Sequence, residues 1–336
     1  MSNKRPVLVG VLMTLVFFGA CTKDETKDNS FLYAFFKSDE TKVSVADTVH
    51  FQDFSLGHPG KWEWTFEGAS PAVSVEQNPS VIYDAPGTYA VSLTVTENGE
   101  TSTKTMEKYI TVVSAEQLDE DLLAYFPFNG SAEDAGPSHF QVADPGTVTF
   151  DGQDRHGQAG SSAVFDGSSL IVVPDQDAFN LGTRDFTISC WIKTTHTEKM
   201  MVWQESGAGG GGDNQTWLRL GDNTTDRLIR FDTEDGGGGN IINFGDGPST
   251  AVSDGNWHNL VCVREGGVTR LYVDGEMAAE MIKGTPKDVS NSGDFKIGGQ
   301  EGPAGEYHTF FTGMIDDLSI YTRAMNDEEV TALYLK

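Results

Sequence analysis

Between Phe31 and Val113 large apolar residues recur at every second position, and no stretch carries a helical period. That alternation puts the apolar side chains on one face of a pleated strand, so the segment is confined to β-structure. The strands read as Val43-Ser-Val45, Val49-His-Phe51, Trp62-Glu-Trp64-Thr-Phe66 and Tyr89-Ala-Val91-Ser-Leu93-Thr-Val95, with Pro86-Gly87 turning the chain into the longest. About 80 residues of this rhythm make a small antiparallel sandwich. Trp64 shares a face with Trp62 and Phe66 and is expected in its core, whereas Trp62 faces solvent only if the strand is bulged.

Ser114 to Asp121 is a short acidic linker, and from Leu122 to Lys336 the β rhythm resumes. Phe186 to Ile192, His258 to Val263, Thr269 to Val273 and Leu318 to Tyr321 read as strands, and Val273-Asp274-Gly275-Glu276 as a type I′ hairpin. Roughly twelve to fourteen strands in one such segment require two large sheets packed face to face. A helix closes the chain: Asn326 caps it, Asp327, Glu328 and Glu329 fill the first turn, and Leu333-Tyr334 form its buried stripe. The expected fold class is all-β, a small sandwich followed by a large one.

The first 20 residues are a leader: Lys4 and Arg5, an apolar run from Val7 to Phe18, then the small pair Gly19-Ala20. The run is too short to span a bilayer as a mature helix. Cys21 stands where cleavage would leave it as the new N-terminus. This arrangement resembles the lipobox of a bacterial lipoprotein, with Phe18 where that pattern has Leu, Val or Ile. The resemblance implies lipidation of Cys21 and contact with a membrane through the lipid alone. Residues 21–30 read as a flexible acidic tether. Their charge resembles the export signal of Bacteroidota-type lipoproteins, which implies an outer-membrane protein exposed at the cell surface.

Two family resemblances cover the remainder. Trp62-x-Trp64-x-Phe66, Gln77-Asn78-Pro79, Tyr83 and Pro86-Gly87-Thr88-Tyr89-x-Val91-x-Leu93-x-Val95 make residues 31–113 resemble a PKD domain, an immunoglobulin-like spacer module, with Thr65 where the family has Asp. Residues 122–336 resemble the laminin-G-like, concanavalin A-like jelly roll. The motifs are Tyr125-Phe126-Pro-Phe128-Asn-Gly130 with Asp134, Ala163-Val-Phe165-Asp166-Gly167, Phe186 to Trp191, Trp257-His258, Leu271-Tyr-Val-Asp274-Gly275, and Phe311-Thr-Gly313 through Ile315-Asp316-Asp317 to Arg323-Ala324. This second resemblance implies one structural Ca²⁺, with Asp316 as a ligand, Gly167 as a carbonyl donor, and Asp166 or Asp317 as helper. Adjacent strand residues point to opposite faces, so one aspartate of the pair is expected to ligate.

No catalytic motif appears. A Gly-x-Ser-x-Gly elbow and a His-Glu-x-x-His string are absent, and Asp232-Thr-Glu234-Asp235 runs into Gly236 to Gly239 and reads as a loop. Gly207-Ala-Gly-Gly-Gly-Gly212 fits Gly-x-Gly-x-x-Gly, yet no helix follows it, which excludes a dinucleotide site. The expectation is binding without catalysis, the alternatives being a module that recognises a protein and a hydrolase or lyase with an unrecognised site. A formal net charge of −27 disfavours nucleic acid. An anionic polysaccharide would need a local Arg or Lys patch or bridging cations, so a neutral glycan is the expected partner.

Sugar rings stack on aromatic platforms beside polar groups. Trp64, Trp191 and Trp257 fall on core positions. Trp203 and Trp217 flank the first glycine run and are the expected platforms, with Arg219, Arg230, Asp232, Asn240 and Asn243 to bond hydroxyls; Tyr307-His308 is a second aromatic cluster. Cys190 and Cys262 lie in apolar runs and read as buried free thiols, with one disulfide as the alternative.

Overall fold

The computed structural model describes residues 31–114, 118–143, 145–206, 213–221, 228–245 and 252–336. The leader, Cys21, the tether, linker residues 115–117 and the glycine run 207–212 lie outside the described residues.

The first domain contains β1 (Phe36–Ser38), β2 (Lys42–Ser44), β3 (Thr48–Asp53), β4 (Lys61–Phe66), β5 (Ala69–Ser70), β6 (Val73–Ser74), β7 (Ser80–Tyr83), β8 (Gly87–Glu97) and β9 (Glu100–Val113). They form one sheet in the order β2-β9-β8-β4-β6 and another in the order β1-β3-β7-β5. Period-two alternation holds here: Trp64 and Phe66 point inward and stack at 5.6 Å, and Phe36 meets Trp64 edge-on at 5.1 Å. β4 pairs with β8 without a register shift, and Trp62 sits half-buried at the rim of the same core. Its indole Nε1 donates to Asp53 Oδ2 at 2.7 Å, which satisfies the one polar atom of the ring.

The second domain begins with β10 (Leu122–Phe126), β11 (Ala163–Asp166), β12 (Ile171–Val173), β13 (Phe186–Lys193), β14 (Met200–Ser206), β15 (Gln215–Leu220), β16 (Ile229–Asp235) and β17 (Gly238–Gly239). It continues with β18 (Ile242–Phe244), β19 (Trp257–Glu265), β20 (Val268–Val273), β21 (Glu276–Ile282), β22 (Phe295–Ile297), β23 (Gln300–Glu301), β24 (Tyr307–His308) and β25 (Thr312–Tyr321). A back sheet runs β10-β25-β13-β19-β20-β21, with β11 also on β25. A front sheet runs β12-β22-β14-β15-β16-β17, with β18 also on β16. Between them lies one core of Phe, Leu, Ile and Val side chains. Cys190 and Cys262 face into it from neighbouring strands as free thiols, and burial pushes both pKa values up.

The closing helix α1 (Asp327–Leu335) starts as the sequence requires. Asn326 Oδ1 accepts from Glu329 N–H at 2.9 Å, and Glu329 Oε2 accepts from Asn326 N–H at 2.9 Å. Val330, Ala332 and Leu333 then pack on Val261, Val263, Tyr272 and Tyr321 of the back sheet, joined by Val113 at the end of the first domain. Lys42 of the first domain meets Glu276 at 2.5 Å. The outer face of the back sheet is thereby covered, and the front sheet turns its outer face the other way. A Cys21→Ser variant should react with a thiol reagent only after unfolding and then release two equivalents; fast labelling of the native chain, or none after denaturation without reductant, would contradict two buried free thiols.

Candidate ligand face

The outer face of the front sheet carries three rows of mainly polar side chains, interrupted by Met201 and Trp217, each built from directly paired residues. One row runs Lys296, Gln204, Trp217, Asp232 across β22, β14, β15 and β16. The second runs Ser206, Gln215, Glu234, and the third runs Met201, Arg219, Arg230, Asn243 out to β18. The floor is buried: Gln204, Gln215, Trp217, Asp232 and Lys296 are all less than a tenth exposed. Arg219, Arg230, Glu234 and Glu301 are half-buried at its rim, and Asn243 and Tyr307 are exposed.

Hydrogen bonds lock the floor. Gln204 Nε2 donates to Gln215 Oε1 at 3.3 Å, and Gln215 Nε2 donates to Glu234 Oε2 at 2.7 Å. Gln204 Oε1 accepts from Glu301 N–H at 2.9 Å, tying the β23–β24 hairpin to the sheet. Lys296 Nζ donates to Ser206 O at 2.8 Å and pairs with Glu301 at 2.7 Å. Arg230 Nε donates to Asn243 Oδ1 at 2.7 Å. The guanidinium carbons of Arg219 and Arg230 lie 4.7 and 5.8 Å from the Trp217 ring centroid.

Asp232 is the chemically unusual member. Burial, and next to it the charge of Glu234, push its carboxyl up to about 7. Its Oδ1 has no hydrogen-bond partner among the described residues. A Cβ on Gly239 would come within 2.6 Å of both Asp232 carboxylate oxygens, so only glycine lets β17 close over this group. Asp232 and Glu234 stand on strand β16, two residues apart on one face; the glycines that suggested a loop begin only at the turn beyond Asp235. Asn240 is buried beside this turn, its N–H bonded to Thr233 O at 2.9 Å.

The two expected platforms need correction. Trp203 is fully buried and stacks on Phe295 at 6.0 Å inside the sandwich. The β14–β15 register shifts between Met201 and Trp203, so an extra residue turns Trp203 inward and Gln204 outward. Trp217 does face outward, but it is 7% exposed and carries guanidinium groups over its ring, so it is not an open platform. Tyr307 is the exposed aromatic nearest this floor, directly across from Glu301. Trp191 is buried outside the core, against the back sheet's outer face, and Trp257 is half-buried at a strand end. Gln204, Gln215, Glu234, Lys296 and Glu301 escaped the sequence reading; Gln215-x-Trp217-x-Arg219 alternates visibly, but joining it to its neighbours requires the register.

The same bulge leaves Glu205 pointing inward, 1% exposed, with Oε2 unpartnered among the described residues and its carboxyl pushed up by burial to about 8.

The four expected calcium ligands do not form one site. Asp166 pairs across from Thr312, four residues and about 13 Å along β25 from Asp316. Its carboxylate accepts from Ser168 and Thr147 instead, and Gly167 lies against Thr312. Asp317 adopts φ 46° at a shift in the β13–β25 register, which breaks the alternation and lets both aspartates meet Arg155. Arg155 contacts Asp317 directly, lies 3.8 Å from Asp316, and stacks 4.7 Å from the Trp191 ring; Tyr125 O–H donates to Asp317 at 2.5 Å. Arg155 thus lies beside both aspartates, and the described residues contain no cluster of three or more His, Cys, Asp or Glu able to hold a metal.

Residues 37–112 match the family model of the PKD domain, and residues 165–331 match that of the concanavalin A-like lectin/glucanases superfamily. The chain is therefore a PKD domain followed by a concanavalin A-like domain. Among solved structures it is similar to the binding domain of Paraclostridial Mosquitocidal Protein 1, at a TM-score of 0.53 and 17% identity over 65% of this chain and 52% of that one. It is also similar to the binding domain of botulinum neurotoxin DC. The complex with rat synaptotagmin II gives 0.50 and 13%, over 64% of this chain and 51% of that one. The complex with SialylT gives 0.50 and 13%, over 65% and 52%. The chain spans about half the length of these proteins, and at such identity the shared property is the fold.

Trp203→Ala should lower the unfolding free energy by about 3–5 kcal/mol, read from the denaturant midpoint, because it empties a core position. Glu205 and Asp232 also set a pH trend. Their folded pKa values, about 8 and about 7, lie above the unfolded ones of 4.5 and 3.8. Folding therefore takes up protons in that window: the stability is fully present below the unfolded values and is lost as pH rises through the folded ones. The unfolding midpoint should fall between mildly acidic and mildly alkaline buffer, and Glu205→Gln should flatten that fall.

Proposed function

We propose that this chain is a lipid-anchored, non-catalytic surface protein that binds a glycan on the outer face of its front sheet. The observation that carries the reading is the preorganised floor, in which Gln204, Gln215 and Glu234 are joined in a hydrogen-bonded row. Amide and carboxylate groups held in place bond sugar hydroxyls without first paying to order themselves. The half-buried rim of Arg219, Arg230, Glu234 and Glu301 gives a ligand access to groups whose rotamers that floor already restricts. Tyr307 offers an aromatic face beside it. Domains of this fold that bind SialylT and synaptotagmin II support a binding role for such a sandwich, with a glycan or a protein as partner. The first domain then acts as a spacer, and acylation of Cys21 holds both domains at the outer membrane.

A hydrolytic reading draws on one observation: Asp232 and Glu234 share a strand face, and Asp232 has a pKa of about 7, suited to proton transfer near neutrality. A retaining pair would also need carboxyl groups about 5 Å apart on either side of a sugar.

Affinity electrophoresis of the full chain through neutral and acidic polysaccharides separates these readings. Retardation with the polymer left intact is the expected result, and Gln215→Ala should weaken it about tenfold, the worth of one or two hydrogen bonds. New reducing ends that disappear in Asp232→Asn would establish hydrolysis instead. Passage through every gel without retardation would point to a protein partner.

A further inference from the structure

We propose that an exposed apolar end of the first domain rests on the lipid bilayer and stands the protein upright there; this rests on the acylation of Cys21 proposed above. Phe31, Tyr33, Phe54 and Leu56 are between 42% and 72% exposed, and they form one patch. Tyr33 and Leu56 bond each other in both directions, N–H to O at 3.1 and 2.9 Å, and the Phe31 ring stacks on Tyr33 at 6.0 Å. Phe54 N–H donates to Phe35 O at 2.8 Å, which brings the next pair alongside. Strand alternation sorts the faces. Leu32, Ala34 and Phe36 pack on the core, so Phe31, Tyr33 and Phe35 turn outward. Ser55 accepts from Phe35 N–H through its Oγ at 3.2 Å, which leaves its neighbours Phe54 and Leu56 to solvent. A contiguous apolar patch of this kind marks a contact surface.

What covers the patch follows from where it stands. Residues 22–30 hold no apolar side chain and offer nothing to bury it. Ten residue steps separate Cys21 from Phe31, a span of at most about 35 Å when fully extended. An acylated Cys21 therefore keeps this end within reach of the bilayer surface. The second domain lies at the opposite end. Ala34 N–H donates to Ser102 Oγ at 3.0 Å and His58 N–H to Glu97 Oε2 at 2.9 Å, so the patch flanks the turn between β8 and β9. From Ser102, β9 runs about 35 Å to Val113, where the first domain meets α1. Aromatic rings such as that of Tyr33 favour the boundary between hydrocarbon and water. Lys37, next outward on the same strand, is exposed and long enough to reach headgroups from the edge of the patch. A net charge of −27 disfavours an anionic surface, so the lipids this end meets are zwitterionic.

The test uses the mature, acylated chain in vesicles of phosphatidylcholine and phosphatidylethanolamine that contain a nitroxide-labelled phosphatidylcholine. Cys190 and Cys262 are buried and Cys21 is acylated, so Leu56→Cys and Ile282→Cys each present one thiol for a bimane label. Ile282 is exposed on β21 of the second domain. We expect the lipid nitroxide to quench the label at position 56 at least threefold more than the label at position 282. Phe31→Ser/Tyr33→Ser/Phe54→Ser should lower quenching at 56 to the level at 282, while the acyl chains keep the protein in the vesicle pellet. Its circular dichroism should be unchanged; should this variant fail to fold, the comparison of the two positions in the otherwise unaltered chain stands by itself. Equal quenching at both positions, with the chain in the pellet, would overturn the patch as a membrane contact and leave the anchor standing. A chain that sediments as a dimer until the triple substitution is made would also overturn it, assigning the patch to a second copy. An unmodified Cys21 and a chain left in the supernatant would remove the anchor and this inference with it.

Discussion

A single register shift in β14 decides what the front sheet presents to solvent. Before it, Met201 pairs with Arg219 on the outer face; after it, Trp203 pairs with Leu218 inside. In an uninterrupted strand Met201, Trp203 and Glu205 would share one face. The extra residue sends the indole and Glu205 inward and brings Gln204 and Ser206 out. The Gln204–Gln215–Glu234 row exists because of that inversion, as does the hairpin contact through Glu301. The cost is visible beneath the sheet, where burial pushes the Glu205 carboxyl up to about 8 even though Asn291 bonds it and Lys296 lies near. A buried carboxyl with one oxygen unpartnered among the described residues is tolerated here as the consequence of moving a polar neighbour to the outer face.

A second irregularity, in β25, organises the back sheet. Asp317 in the left-handed region turns two consecutive carboxylates toward Arg155, which approaches from the loop before β11. Burial, with Asp317 beside it, raises the pKa of Asp316 to about 8, so the guanidinium is balanced mainly by Asp317. Such a pair gains little net free energy over an apolar substitute, but removing one partner strands the other in a dry site, so the group fixes geometry more than it adds stability. Arg155 also stacks on Trp191, which stacks on Tyr334 of α1 at 5.5 Å. One cation therefore fastens loop, sheet and closing helix together.

Local pattern carried most of the architecture. Alternation placed Trp64 and Phe66 in the first core, the Asn326 cap and its acidic first turn marked the helix, and the apolar setting of Cys190 and Cys262 marked buried thiols. These features depend on residues within a turn or a strand of one another. The candidate ligand face does not. Which side of β14 Trp203 occupies depends on a bulge that has no composition of its own, and the same is true of Asp316 and Asp317 on β25. Glycines after Asp235 suggest a loop, yet their effect begins only at the turn and does not reach back to Asp232. The pairing of Arg219 with Arg230 joins strands separated by a connection, and no periodicity within either strand reveals it.

The two outer faces of the second domain divide the work. α1 and the end of the first domain occupy the back sheet, so its outer surface serves cohesion between domains and carries apolar side chains such as Val261 and Val263. The front sheet bears polar groups in corresponding positions. Charge obeys a similar division. A net charge of −27 repels polyanions at a distance, yet at physiological ionic strength that field decays over about 8 Å. Within that range a group beside the front sheet meets the local pattern of Arg, Asp and Glu side chains rather than the average of the surface. The sign of the whole chain therefore sets the field at a distance, and strand register sets which charges stand together at contact.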